Sequence, residues 1–92
     1  MVAIFKAYVA EFLGTALLTM TVLLTSGNPL LVAAALALII FIAAPHSGAH
    51  ANPAISIAMA IRGTLMWPRL PMYIASQVGG AIAAYYLYKV IR

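Results

Sequence analysis

The residues able to do chemistry are few and concentrated. His46, Ser47, His50 and Asn52 fall within the segment His46-Ser47-Gly48-Ala49-His50-Ala51-Asn52-Pro53-Ala54, while Glu11 and Gln77 stand alone in apolar surroundings. Glu11 is the only acidic side chain, so no pair of carboxylates exists for acid–base work. No nucleophile–base set, metal cluster or phosphate-binding glycine loop is present, and no enzyme activity, metal or cofactor is expected. The absence of cysteine removes disulfide, zinc-thiolate and thiol chemistry. What remains is a short polar loop followed by Asn52-Pro53-Ala54. Polar backbone inside a membrane is tolerated only where it is buried in protein or lines water. Such a loop, entering a membrane and returning as a short helix, belongs to a pore.

The membrane follows from composition. Of 92 residues, 66% are hydrophobic and 7% charged. A soluble domain this small buries only about 60% of what its unfolded chain exposes, too little to hide so much apolar surface. The net charge of +4 comes from Lys6, Arg62, Arg69, Lys89 and Arg92 less Glu11. These bases sit at the ends of apolar runs, as interface anchors do, and not as a nucleic-acid footprint. An integral, multi-pass protein of a cell or inner membrane is expected. The first apolar run carries Glu11 and no convincing cleavage site, so it reads as a retained helix and not a signal peptide.

The elements that position the loop follow from punctuation. Residues 7–25 form a first helix long enough for a hydrocarbon core of ~30 Å at about 1.5 Å per residue. Ser26-Gly27-Asn28-Pro29 turns the chain, and residues 29–44 form a second helix that Pro45 is expected to stop. Residues 45–62 hold the pore loop and a half-helix. Asn52 suits its N-cap, Pro53 its first turn and Gly63 its end. Ten residues rise only ~15 Å, half the core. Trp67-Pro68-Arg69 reads as an interfacial turn, and a last helix spans 70–89, with Tyr85, Tyr86 and Tyr88 as an aromatic belt at its exit. Small residues recur four apart at Ala10 and Gly14, Ser76 and Gly80, Gly79 and Ala83, and Gly80 and Ala84, the spacing that close helix contact in lipid needs. The fold class is thus an all-α membrane protein, one unit over 1–92, with three transmembrane helices and one re-entrant pore loop.

Four stretches carry a resemblance to the aquaporin and glycerol-facilitator family. Ala10-Glu11-Phe12-Leu13-Gly14-Thr15 resembles its first-helix motif. Ser47-Gly48-Ala49-His50 with Asn52-Pro53-Ala54 resembles its first pore loop. Met72-Tyr73-Ile74-Ala75 leading to Gln77-Val78-Gly79 resembles its third helix. Their order and spacing fit, and the match covers nearly the whole chain. It is to the first half alone, because family members resemble two such halves fused in opposite orientations, and this chain holds one Asn-Pro-Ala. Ile55 follows the triplet, as is usual for the first loop, so no filter arginine is present.

The resemblance implies a passive channel for water or small neutral solutes, glycerol-like or ammonia-like. It places Asn52, Pro53, Ala54, His50, Gly48 and Ala49 on the pore, and Val32, Ile40 and Ile55 at its filter positions. All three filter positions are aliphatic, which favours a wide, greasy constriction. For Glu11, two roles are open from the residues: a proton carrier, since a membrane acid is a functional candidate by default, or an acceptor for loop amides. The resemblance implies the second, and a loop-bracing role for Gln77. His50 is either a wall residue or a loop residue packed against Glu11. His46 has no expected role, and the methionines and tyrosines are read as packing and interface residues.

One half cannot wall a pore. An inverted second copy would restore the paired arrangement, and the assembly in fours that the resemblance implies would make four dimers. Lys6, Arg62 and Arg69 on one side against Lys89 and Arg92 on the other give the weak bias that dual topology needs. The alternatives are an isolated half or fragment needing a second half, or a proton-coupled transporter using Glu11. Small multidrug transporters resemble the chain in size and membrane glutamate, but have no place for a half-helix. The partners expected are the lipid bilayer, a second copy, and water or neutral solutes, with no nucleic acid.

Overall fold

The computed structural model describes residues 2–92. Four α-helices are joined by short connections: α1 (Val2–Thr25), α2 (Pro29–Ser47), α3 (Pro53–Arg62) and α4 (Leu70–Ile91), the last opened by a 3-10 turn at Trp67–Arg69. There is no strand among the described residues. The bundle measures 39 × 24 × 21 Å. α1 is the central element, packed against both α2 and α4, while α3 leans on α4.

Local chemistry explains the α1–α2 turn. The Gly27 N–H bonds back to Val22 O at 2.9 Å, with Ser26 and Gly27 at φ 54° and 74°. Asn28 Oδ1 then accepts from the N–H groups of Leu30 and Leu31 at 3.0 and 3.1 Å, capping α2 where Pro29 occupies its first turn. Side-chain oxygens at an N-cap satisfy amides that have no partner within the helix.

Pro45 does not stop α2. The helix runs on to Ser47 and ends where Gly48 turns left-handed at φ 84°, its N–H closing onto Ala44 O at 2.9 Å. A proline inside a helix forfeits its own N–H bond, but the last turn is held from outside. Tyr73 Oη donates to Ser47 O at 2.8 Å, and Ser47 Oγ is engaged by Glu11. α1 also starts earlier than residue 7, at Val2, and α4 runs past residue 89 to Ile91.

α1 and α2 are long and apolar enough to cross a membrane. Their outward faces are strongly apolar: Phe41 is 82% exposed and Leu30 78%. α4 has the length, 22 residues, but interrupts its apolar run with Ser76, Gln77, Gly79 and Gly80. The inner face of the bundle is polar for so apolar a chain: Glu11, Thr15, Ser47, Ser56 and Gln77 are all buried.

Candidate functional site

The site is built around one carboxylate. Glu11, 1% exposed on α1, accepts four hydrogen bonds. Its Oε2 takes Ser47 Oγ at 2.6 Å and the His50 N–H at 3.0 Å. Its Oε1 takes the Ala51 N–H and Gln77 Nε2, each at 2.8 Å. Ser47 Oγ in turn accepts from the Ala49 N–H at 3.1 Å. Hydrogen bonds to an ionised acceptor are shorter and stronger than neutral ones. One side chain thereby gathers the end of α2, the loop and α4.

That grip fixes the direction of the loop backbone. The N–H groups of Ala49, His50 and Ala51 all face Ser47 and Glu11. In a trans peptide the preceding carbonyl points the opposite way. The carbonyls of Gly48, Ala49 and His50 therefore face away from Glu11, and none receives a hydrogen bond among the described residues. The geometry requires left-handed backbone at Gly48, Ala49 and Ala51, with φ of 84°, 53° and 52°. For the two alanines this conformation is uncommon and costs energy, offset by bonds to the carboxylate. The row of free acceptors leads to Asn52. Its Oδ1 caps α3 by accepting from the Ala54 N–H at 2.8 Å, and the Ser56 N–H bonds to the Asn52 carbonyl, which leaves the Asn52 side-chain N–H2 and the Ile55 N–H as donors. A helix N-terminus also carries about half a positive charge.

His50 ties the loop to α3. Its Nδ1 lies 2.8 Å from Ser56 Oγ, and Ser56 Oγ lies 2.8 Å from Gln77 Nε2. The ring also packs on Tyr73, with centroids 5.0 Å apart. It lines a hollow of about 540 Å³, shared with Gly48, Met59, Arg62, Arg69 and Tyr73 among others, none of them acidic.

The expected residues do not all stand together. Glu11, Gln77, His50 and Gly48 meet at the loop. Asn52 and Ala54 are exposed at the tip of α3. Ala49 turns its side chain inward, 8% exposed against Ile39 and Ala43, so only its backbone faces outward. Val32, Ile40 and Ile55 do not line the hollow; Ile40 and Ile55 are 45% and 42% exposed. Ser56 has no role in the sequence pattern, Tyr73 only one of packing within its motif, and Ser47 none beyond its motif. Ser56 could have been found as the one hydroxyl on an apolar half-helix, four residues past Asn52. Tyr73 could have been found as the residue one turn before Gln77 on the same face of α4.

The major intrinsic protein family matches residues 1–92. The chain belongs to that family. Among relatives, Aquaglyceroporin-2 of Rhizophagus irregularis is 39% identical over 94 aligned positions, covering 87% of this chain and 30% of the relative. A probable glycerol uptake facilitator protein of Thermotoga maritima is 33% identical over 96 positions, covering 83% and 39%. The glycerol uptake facilitator protein of Bacillus subtilis is 56% identical over 36 positions, 39% of this chain and 13% of the relative. The chain thus spans 30% and 39% of the length of the two relatives it matches along most of its own length. A major intrinsic protein with two helices long and apolar enough to span is a membrane protein.

Proposed function

We propose that the chain supplies one half of a passive pore for water and small neutral solutes. α1, α2 and α4 cross the membrane, and the loop re-enters it to set Asn52 near the midplane. The observation that carries this reading is the one-sided loop. Glu11 and Ser47 take its amides, so its carbonyls are left as a row of acceptors ending at the Asn52 side-chain amide and the Ile55 N–H. Water or a polyol gives hydrogens to the first and lends an oxygen to the second. A cation is opposed by the positive end of α3, and opposed half-helix ends are a known means of passing neutral molecules while excluding ions.

The reading extends to a second half. α3 rises only ~15 Å and stops at Asn52, so an equivalent half-helix must complete the path. We assign that half to an inverted second copy, with the near balance of bases at the two ends permitting both orientations. The aliphatic positions Val32, Ile40 and Ile55 and the names of the relatives favour glycerol-sized solutes as well as water. Glu11 fits the bracing role better than proton transport, because its four acceptor positions are taken by donors.

Stopped-flow shrinkage of vesicles holding only this purified chain tests the proposal. Fast, weakly temperature-dependent water flow, altered by Asn52→Asp, is expected, together with glycerol entry. Flow no faster than bare lipid, from folded and inserted protein, would show that a different second half is required. The chain has no cysteine, so single cysteines placed at either terminus report orientation cleanly. Labelling of each terminus from one side alone in every molecule rules out the inverted pair.

A further inference from the structure

Ser56 is completely buried, at 0% exposure. Its hydroxyl has two neighbours, Gln77 Nε2 and His50 Nδ1, each at 2.8 Å, and no third among the described residues. A hydroxyl carries one hydrogen and accepts through two lone pairs. The Gln77 amide cannot be turned over, because the nitrogen that meets Ser56 also meets Glu11 Oε1 at 2.8 Å. Reversal would press an amide oxygen against a carboxylate oxygen already holding the Ala51 N–H. Gln77 therefore donates to Ser56, and the Ser56 hydrogen needs an acceptor of its own. The imidazole is the one left. Were Nδ1 to carry a hydrogen, the serine hydrogen would be buried without a partner, at the usual cost of an unmade buried bond.

Nδ1 is then bare, and in the neutral ring the hydrogen sits on Nε2. Nε2 has no protein partner among the described residues and is not sealed from its surroundings. Gly48 keeps that edge clear: a Cβ at Gly48 would stand 3.2 Å from Nε2. The ring edge that Gly48 leaves open belongs to the hollow both residues line.

We infer that Ser56 is a positioning residue that locks neutral His50 as the Nε2–H tautomer, so that the ring offers the hollow a hydrogen-bond donor and never an acceptor. The use of that donor rests on the channel reading. It lines the same hollow as Gly48, whose carbonyl receives no hydrogen bond among the described residues, so a solute with both an oxygen and a hydrogen to offer, such as water or an alcohol, is matched on both counts. A cation with donors only, such as ammonium, meets a donor it cannot satisfy.

The test is nitrogen-15 solid-state NMR of the full chain in lipid bilayers, with labelled histidine, at alkaline pH. A His46→Gln parent leaves His50 as the single ring observed. The expected spectrum has an unprotonated Nδ1 and a protonated Nε2. Ser56→Ala is expected to mix the two tautomers, and Ser56→Thr to restore one. A protonated Nδ1 in the parent overturns the assignment, as does a ring spectrum that Ser56→Ala leaves unchanged. If Ser56→Ala fails to fold, the parent spectrum still decides. These signals need no flow, so a chain that conducts nothing leaves the tautomer separately readable.

Discussion

α1 meets its two neighbours in different ways. Toward α4 the contact is between backbones. Gly80 lies against Phe12 so closely that a Cβ would collide with the Phe12 carbonyl oxygen and stand 3.2 Å from the Ala16 nitrogen. The same face carries Glu11 and Gln77. Toward α2 the contact is between side chains, Gly14 receiving the Ile39 methyl and Ala10 and Leu18 packing against the cluster of Ile39, Ala43 and Ala49. There the helices part into an apolar groove of about 400 Å³ running from Phe5 to Leu17 on α1 and Leu38 to His46 on α2. In lipid, apolar side chains gain little by leaving the acyl chains for each other, whereas close backbones and hydrogen bonds hold. The α1–α4 seam is therefore the frame, and the α1–α2 face is the adaptable one.

Substitutions can break or sharpen that contrast. The largest effect is expected from Glu11→Gln. Its amide offers hydrogens where two of the four donors need an acceptor, and each buried donor left unpaired costs about 1–3 kcal/mol. A loss of about 2–6 kcal/mol should appear in detergent unfolding, with any solute flow abolished. Next comes Gly80→Ala, whose methyl meets backbone that cannot rotate away. The cost should reach the upper part of the about 1–3 kcal/mol usual for overpacking, read in the same unfolding experiment. Gly14→Ala meets a side-chain methyl at 3.0 Å on the adaptable face, and should cost about 1 kcal/mol. Gly79→Ala should do least. Its Cβ would rest 3.4 Å from the Phe12 ring, an ordinary contact, so stability should shift by about 0.5 kcal/mol or less. A Gly79→Ala variant as damaged as Gly80→Ala would show that α4 is sensitive as a whole and not along one line.

The same contrast explains what was legible in the sequence. The all-α class, the turn at Ser26–Asn28 and the half-helix from Pro53 to Arg62 rest on local signals, namely apolar runs, caps and glycines. That Glu11 and Gln77 meet at the loop could be anticipated only through resemblance, since no local rule pairs residues 66 positions apart. Pro45 misled because helix-stopping is a local argument, and the bond that carries α2 on to Ser47 comes from Tyr73, 26 residues away. Ser47 and Ser56 look like ordinary small polar residues until the loop is folded around them. Ala49 belongs to the pore motif, yet left-handed backbone swings its methyl into the core, which composition does not reveal.

The length of the Glu11 connections sets an order of events during synthesis. Its partners lie 36, 39, 40 and 66 residues downstream. At ~5–20 residues per second, a nascent α1 waits roughly 3–13 s between the making of Glu11 and the making of Gln77. Throughout that interval it carries an acid that lipid receives only at a cost. α1 is thus settled only after α4 has been made, and a ribosome stalled before α4 holds a chain whose loop has no finished socket to close into.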